Sequence, residues 1–290
     1  PSVGEEASTV GAAASLMDGD YLLATHRGHG QLIGKGCGVN EMMAEMLGRE
    51  TGLCRGRGGS MHMVDPAHGV IFANGIVAAN APLAVGAALS IKKQRIENRV
   101  AMTFMGDGAA NEGAVHEAFN LASLWRVPVM FCLVNNTYGL STPIANAMRD
   151  TDLVKRAAPF GIKAFEADGN DVFAVYETMR RVRKYCAENS EPALTVLHTY
   201  RTSGHSKSDN NLYRTAEEID LWRRRCPVLR ARNAMINRGI FTAAELDDME
   251  IIYAQFVSYM NQFSDTSRKE RTLYYNKAHT GKYVWKKDLL

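Results

Sequence analysis

The feature that most constrains this chain is a glycine-rich turn between an apolar segment and a helical pattern. The apolar run at residues 100–105 leads into Gly106-Asp107-Gly108-Ala109, and apolar residues then recur at three- and four-residue spacing over 114–125. A second apolar run, 128–134, ends at Asn135-Asn136. A strand, a helix and a strand within about 35 residues form a crossover between parallel strands. The sequence therefore predicts an α/β fold with an open, mostly parallel sheet and helices on both faces.

Asp107 and Asn136 each follow the end of a predicted strand, so we expect both at the sheet edge where open α/β folds bind ligands. A glycine-rich turn at a helix start usually binds phosphate, yet the Asp107 carboxylate would repel a diphosphate. A divalent cation removes this conflict, because Mg²⁺ is commonly held by one or two carboxylates together with substrate phosphates. We therefore predict a Mg²⁺ site formed by Asp107, the Asn136 amide oxygen, a nearby backbone carbonyl and a cofactor diphosphate.

Other ligand-binding patterns fit this turn less well. The chain has no G-x-x-x-x-G-K-[ST] phosphate loop and no G-x-G-x-x-G at a strand-to-helix junction, so a nicotinamide dinucleotide site is unsupported. His116-Glu117 lacks the second histidine of a zinc-protease motif. An ordinary tight turn capped by Asp107 remains the simplest alternative. The paired asparagines at the matching strand end argue against it.

Gly-Asp-Gly with paired asparagines, the second of them 29 residues after Asp107, resembles the thiamine diphosphate motif. Further segments of the same family follow in order along the chain: residues 25–30, 56–62, 73–77 and 204–209. Together they resemble the alpha subunit of the thiamine-dependent first component of 2-oxo acid and acetoin dehydrogenase complexes. The resemblance covers about residues 1–240.

The resemblance implies roles for particular residues. Asp107, Asn136 and the Tyr138 carbonyl would ligate Mg²⁺, and Arg27 and Arg201 would hold the diphosphate. The remaining cofactor-binding residues that it implies are His26, which stands where other members often carry tyrosine, Gly75 and Val77 beside the aminopyrimidine, Gly106, Gly108 and Ala109 in the turn, and His205.

Two histidines are the catalytic candidates. The resemblance places His205 on a loop over the reactive thiazolium ring, where it would donate a hydrogen bond to a developing oxyanion or carboxylate. A histidine that merely orders this loop is the alternative. His29 is the second candidate and would line the same cavity as residues 60–62. Ser206 and Ser208 stand where some relatives are phosphorylated, but the neighbouring sequence differs, so we do not expect that regulation here.

The resemblance also implies the activity and the partners. Thiamine diphosphate and Mg²⁺ would support cleavage of acetoin or a 2-oxo acid, with transfer of the acyl or hydroxyalkyl group to lipoyl-lysine on an acyltransferase core. A separate beta subunit would supply the activating glutamate in a heterotetramer of two alpha and two beta chains. The first and last motifs, at 25–29 and 204–214, look most like the acetoin branch, with pyruvate dehydrogenase as the alternative. A non-catalytic scaffold relative and a nicotinamide dehydrogenase are the other hypotheses.

Composition narrows the class of protein and its location. Basic residues exceed acidic ones by 34 − 31 = 3, too balanced a charge for a nucleic-acid partner. Five scattered cysteines without C-x-x-C favour a reducing compartment, which we expect to be the bacterial cytoplasm or else the mitochondrial matrix. The chain has no signal peptide and no apolar run of about 18 residues, so we expect no membrane partner.

The segments of the chain predict its domain organisation. We expect a thiamine diphosphate-binding domain over 1–240 and a helical, aromatic and basic extension over 241–290. The chain begins inside what resembles the first conserved helix of the family, so we expect a truncated N-terminus or absent leading helices. Glycine-rich residues 52–75 are predicted as one long functional loop. Thr215 and Glu218 predict a capping box at a helix start.

Overall fold

The computed structural model describes residues 2–206 and 208–250. They divide into two units, with the boundary between Asn233 and Ala234. The first unit contains the sheet and every predicted site residue. Most of the predicted helical extension over 241–290 lies outside the described residues, so this part of the domain organisation stays a prediction.

The strands and helices alternate along most of the first unit. The strands are β1 (Tyr21–Thr25), β2 (Val70–Asn74), β3 (Ala101–Gly106), β4 (Val129–Asn135), β5 (Tyr138–Gly139), β6 (Thr142–Pro143), β7 (Lys163–Asp168) and β8 (Ala193–His198). The helices are α1 (Glu6–Ala14), α2 (His29–Lys35), α3 (Val39–Met46), α4 (Asn80–Lys93), α5 (Gly113–Trp125), α6 (Ile144–Ala147), α7 (Val172–Asn189), α8 (Ala216–Arg223) and α9 (Pro227–Asn237).

Six strands form one parallel sheet in the order β2-β1-β3-β4-β8-β7, and β5 and β6 form a small antiparallel pair. The predicted α/β fold class is confirmed. From β1 the chain moves to one side of the sheet, to β2, whereas β3 and β4 lie on the other side. Between β1 and β3 the strand order therefore reverses, and ligands of open α/β sheets bind beyond the carboxyl ends of the strands at such a point.

The sheet is covered on both faces, which explains why β3 and β4 read as continuous apolar runs. In β4, Val129, Phe131 and Leu133 pack with α4 and α5 on one face. Met130 and Cys132 alternate with them and pack with α1 and α7 on the other. Every residue of β4 is buried, so this strand forms the rigid centre on which the residues after its carboxyl end are mounted.

The prediction of one long loop over 52–75 was wrong at its C-terminal end, where β2 forms the edge of the sheet. This strand pairs on one side only, with β1, and its burial does not alternate. The pattern that normally reveals a strand is therefore missing. A left-handed glycine, Gly69, directly precedes it and makes its start look like part of the loop.

A buried ion pair lies at the amino-terminal ends of β1 and β3. Arg183 of α7 donates to both carboxylate oxygens of Asp20, at 2.6 and 3.0 Å. Asp20 also accepts the backbone N–H groups of Met17 and Val100, which completes its hydrogen bonding. The pair joins α7 to the segments that lead into β1 and β3, so both strands start from a fixed point. None of the described helices is long and apolar enough to cross a membrane.

Candidate functional site

Asp107 lies in the turn between β3 and α5, and the whole residue is only 2% exposed. One oxygen, Oδ1, accepts the backbone N–H of Gly108 at 2.8 Å. The other, Oδ2, is buried and makes no hydrogen bond with any described residue. Burial raises the pKa of this carboxyl group, although Gly108 N–H and Arg201 act in the opposite direction. A buried carboxylate oxygen without a partner is costly and calls for a cation or another ligand.

Asn136 follows β4, and its side chain is held by a residue from the far end of the chain. Its Nδ2 donates to Oε1 of Glu5 at 2.5 Å, and its Oδ1 accepts the backbone N–H of Tyr138 at 3.2 Å. Both Glu5 and Asn136 are buried. The backbone N–H of Tyr138 can only donate, so the end of the amide that faces it is the oxygen.

The turn after Asn136 approaches the turn of Asp107 very closely. A Cβ atom on Gly108 would lie 3.2 Å from the Gly139 Cα, and one on Gly139 would lie 3.3 Å from the Gly108 Cα. Glycine at both positions therefore lets the two turns pack backbone against backbone. The Tyr138 hydroxyl donates to the Glu218 carboxylate at 3.0 Å and so anchors the second turn from its other side.

Two arginines bring positive charge to the same place. Arg201, only 2% exposed, donates to the backbone carbonyl of Leu140 at 3.1 Å. Burial is the largest effect on the pKa of Glu5 and raises it, and nearby Asp107 raises it further. The charges of Arg27 and Arg201 act in the opposite direction, but the pKa stays above its usual value. The structure thus brings Arg27, Arg201, Asp107, Asn136 and Glu5 together at the carboxyl ends of β1, β3 and β4.

His205 is held over this group by Arg27. The Arg27 guanidinium donates to the His205 carbonyl at 2.8 Å and lies 3.3 Å from its Nδ1. Burial first, then the charges of Arg27 and Arg201, lower the pKa of His205 to about 4. The ring is therefore neutral near pH 7. Because a guanidinium can only donate, Nδ1 accepts and the proton sits on Nε2, ready to be donated.

The loop that carries His205 is fixed by residues that sequence reasoning did not single out for it. Asp209 accepts the backbone N–H of His205 at 2.6 Å and the Tyr213 hydroxyl at 2.8 Å. Arg214 donates to the backbone carbonyls of Arg201 and Ser203.

Thr215 caps α8 as predicted, by accepting the N–H of Glu218. The capping box itself is not formed, because the Glu218 carboxylate instead accepts the hydroxyls of Tyr138 and Tyr200.

His29, at the start of α2, contacts the glycine-rich loop. Its Nε2 lies 3.0 Å from the hydroxyl of Ser60, and burial lowers the pKa of its ring. The loop is ordered by buried Glu45, which accepts the four backbone N–H groups of Cys54, Gly56, Gly58 and Gly59 at 2.6–3.0 Å. Burial would raise the pKa of Glu45, but these four hydrogen bonds hold it lower. The half-buried ring of His26 lies beside Arg27, and its pKa is lowered by burial and by that charge.

The segment Gly75–Val77 leaves the end of β2 and is exposed. A pair of buried asparagines supports it from below. Asn74 accepts the N–H of Ile76 at 2.6 Å and donates to Asn80 at 2.5 Å, and Asn80 in turn donates to the Ala24 carbonyl at 2.8 Å. Ile76 and Val77 are 73% and 54% exposed, so their side chains can contact a ligand or a partner chain.

Glu5 is the most important site residue that sequence reasoning missed. Its position is separated from Asn136 by 131 residues, and no local pattern connects the two. Its place in Gly4-Glu5-Glu6, immediately before α1, reads as ordinary first-turn acidity. The signal that points to Glu5 is the resemblance of the first residues of the chain to a conserved helix of the family.

Replacing Glu5 with alanine is expected to weaken Mg²⁺-dependent cofactor binding by about 10- to 100-fold, the usual effect of losing a residue that orients a metal ligand. If Asn136 ligates Mg²⁺ as predicted, the change leaves its buried amide without this partner, and its oxygen is then no longer fixed toward the ion. Glu5→Gln is the matched control, because it keeps an acceptor oxygen in the same place. Titration calorimetry with Mg²⁺ and thiamine diphosphate measures both variants. Equal affinity for wild type and Glu5→Ala would contradict this role.

The residues present fit a divalent cation bound to a diphosphate. Asp107 offers a buried carboxylate oxygen without a hydrogen bond, and Asn136 offers an oriented amide oxygen. Arg27 and Arg201 contribute two positive charges for an anion, and Gly108 and Gly139 leave room for close approach. Oxygen ligands from one carboxylate and one amide, completed by phosphate oxygens, are typical of Mg²⁺.

Comparisons with known proteins agree with this geometry. Residues 1–271 match the family model of the dehydrogenase E1 component. The chain is 40% identical over 215 residues to the alpha subunit of acetoin:2,6-dichlorophenolindophenol oxidoreductase of Bacillus subtilis, covering 74% of this chain and 64% of that subunit. The corresponding subunit of Cupriavidus necator is 41% identical over 261 residues, covering 89% and 78%.

A second branch of relatives is similar over a longer stretch. The pyruvate dehydrogenase E1 component subunit alpha of Rickettsia prowazekii is 36% identical over 271 residues, covering 91% of this chain and 81% of that subunit. The resemblance inferred from the motifs is therefore confirmed in both of its branches. The chain belongs to the dehydrogenase E1 component family.

Proposed function

We propose that this chain is the alpha subunit of a thiamine diphosphate- and Mg²⁺-dependent first component of an acetoin or 2-oxo acid dehydrogenase complex. Family membership implies thiamine diphosphate. The observation that carries the Mg²⁺ part of the proposal is the buried Asp107 Oδ2, which has no hydrogen bond among the described residues and lies near an oriented asparagine and two arginines.

In this proposal the side chains around Asp107 hold and polarise the cofactor. Asp107, Asn136 and the Tyr138 carbonyl ligate Mg²⁺, and Arg27 and Arg201 neutralise the diphosphate. Thiamine diphosphate held there would supply a nucleophilic ring carbon for the substrate carbonyl and a cationic ring that can take up the electron pair of the broken carbon–carbon bond. His205, neutral near pH 7 with its proton on Nε2, donates a hydrogen bond to the oxygen that develops negative charge.

A beta subunit completes the site in this proposal. Activation of the cofactor requires a carboxylate beside the aminopyrimidine, and three carboxylates that lie around the site already have other partners. Glu5 holds Asn136, Asp107 is the proposed metal ligand, and Asp209 holds the His205 loop. The exposed side chains of Ile76 and Val77 support a partner chain at this position. The acyl or hydroxyalkyl group then passes to lipoyl-lysine of an acyltransferase core.

We favour acetoin as the substrate, and pyruvate is the second candidate. The motif Thr25-His26-Arg27-Gly28-His29 places histidine where the pyruvate branch more often has tyrosine. In the structure, His26 lies beside Arg27 and is close enough to His205 to influence its pKa. This proximity supports the proposal that His26 contributes to the choice of substrate.

The assembled enzyme is expected to reduce dichlorophenolindophenol with acetoin about tenfold or more faster than with pyruvate, compared as kcat/KM. A tenfold ratio corresponds to about 1.4 kcal/mol of differential transition-state binding, which a few pocket contacts can supply. Side-by-side assays with both substrates measure the ratio, and His26→Tyr tests whether this position contributes to it. A ratio in favour of pyruvate would assign the chain to the other branch.

A further inference from the structure

Three potential metal ligands lie close together at the amino-terminal end of the sheet, opposite the proposed cofactor site. The ligand atoms of Cys37, Asp65 and His68 all lie within 4.8 Å of one another. Asp65 pairs with Val70, the first residue of β2, so the cluster lies at the amino-terminal edge of a sheet whose proposed cofactor site is at its carboxyl edge. We propose that Cys37, Asp65 and His68 form a structural site for Zn²⁺ or a similar thiophilic divalent ion.

The backbone holds the three residues in fixed positions. Asp65 and Val70 exchange two backbone hydrogen bonds at 2.9 Å, which closes the turn that contains His68. Gly69 of this turn is in the left-handed region at φ 76°, and a Cβ atom there would collide with the Asp20 carbonyl. Cys37 follows left-handed Gly36 at the end of α2, and its N–H donates to the Leu32 carbonyl at 3.0 Å.

The Asp65 carboxylate is directed at the other two ligand side chains rather than at the backbone N–H groups of its own turn. Asp65 precedes the turn Pro66–His68, where an aspartate commonly caps the backbone, yet its side chain makes no such capping hydrogen bond. Instead its Oδ2 lies 2.7 Å from Nδ1 of His68. Cys37 is buried, and its thiol is hydrogen-bonded to Asp65.

The protons now shared within the cluster are the ones that a metal ion would replace. Binding releases the Cys37 thiol proton to solvent and leaves a thiolate on the ion. The His68 ring then carries its proton on Nε2 and offers the Nδ1 lone pair. Neighbouring ligand atoms around a tetrahedral Zn²⁺ lie about 3.3–3.8 Å apart, so the Asp65–His68 contact must lengthen by about 0.6 Å or more.

The ligand set favours Zn²⁺ over the Mg²⁺ proposed at Asp107. A thiolate, an imidazole and a carboxylate suit Zn²⁺, whereas Mg²⁺ prefers oxygen ligands alone. The His68 side chain is 47% exposed, so an ion can enter and a water molecule can take the fourth position. A bound ion would tie the end of α2 to the segment before β2 and stabilise the folded state by mass action.

Cobalt titration of the purified full-length chain in its native assembly tests the proposal. After treatment with chelator and with excess Mg²⁺ present, Co²⁺ should bind once per chain and produce a thiolate-to-cobalt charge-transfer band, which Zn²⁺ then displaces. Cys37→Ser should remove the band, and His68→Ala should weaken binding by about tenfold or more. Cys54→Ser is the matched control, because the half-buried Cys54 lies outside the cluster. Zn²⁺ should raise the melting temperature of the wild type and of Cys54→Ser only.

Two results would overturn the site. One is the absence of a charge-transfer band at Co²⁺ concentrations up to the millimolar range. The other is a band that persists with unchanged affinity in either Cys37→Ser or His68→Ala. Since His68 is exposed, its alanine variant is expected to fold, and it decides the matter even where the variant at buried Cys37 does not fold.

Discussion

Replacing Asp107 with alanine is expected to weaken metal-assisted binding of thiamine diphosphate by at least about 100-fold, or about 2.7 kcal/mol. The variant loses the carboxylate oxygen proposed for the metal, and the diphosphate then has no cation to bridge it to the turn. The fold should survive. Burial raises the pKa of Asp107, so the ionised carboxylate destabilises the folded state at any pH above the pKa that Asp107 has in the unfolded chain. Alanine removes this cost.

Calorimetry and thermal melts of the assembled protein, with and without Mg²⁺ and cofactor, measure this effect. Glu112→Ala is the matched control, since Glu112 is an exposed acidic residue of the same turn and its side chain makes no capping hydrogen bond. The variant at Asp107 should show no cofactor-induced rise in melting temperature, while the control retains it. Unchanged binding by Asp107→Ala would refute the proposed metal site, and a complex whose function is unchanged by Asp107→Ala would favour a non-catalytic scaffold.

The isolated chain is expected to turn over acetoin at least about 100-fold more slowly than the same chain reconstituted with its beta subunit. A positioned acid or base contributes about 10²–10⁴-fold to a rate, and the activating carboxylate is proposed to come from the partner. Reduction of dichlorophenolindophenol by the chain alone, the beta subunit alone and the mixture measures the effect.

Reconstitution of Asp107→Ala with the beta subunit is the control for this second experiment. It should assemble normally but remain inactive, which assigns cofactor binding to this chain and activation to its partner. Full turnover by the isolated wild-type chain would instead mean that the chain carries its own activating group. A rise in the melting temperature of the chain on adding a nicotinamide dinucleotide would instead support the alternative hypothesis of a nicotinamide dehydrogenase.

The centre of the fold could be predicted from sequence because its patterns are local. The β3–α5–β4 unit combines two strands buried on both faces with a helix of regular spacing, and all three appear close to their predicted positions. The meeting of Asp107 and Asn136 at one sheet edge follows from that unit, since parallel neighbours bring their carboxyl ends together. The fold class is therefore a consequence of the most regular part of the chain.

The supporting residues could not be predicted in the same way, because their contacts join distant segments. Glu5 reaches Asn136 from before the first helix, and Glu218 accepts the hydroxyl of Tyr138 from 80 positions away. Glu45 orders the glycine-rich loop through backbone N–H groups, which leave no trace in the side-chain pattern. Long-range contacts of this kind depend on the finished fold, whereas strand and helix patterns do not.

The backbone contact between Gly108 and Gly139 has a consequence for how this subunit could lose activity. A methyl group at either position would press against the backbone of the other turn and move the two proposed metal-binding turns apart. Every ligand, both arginines and the hydrophobic interior would stay chemically intact. Silent paralogues in this family could therefore arise through a single small substitution that a survey of ligand residues would overlook.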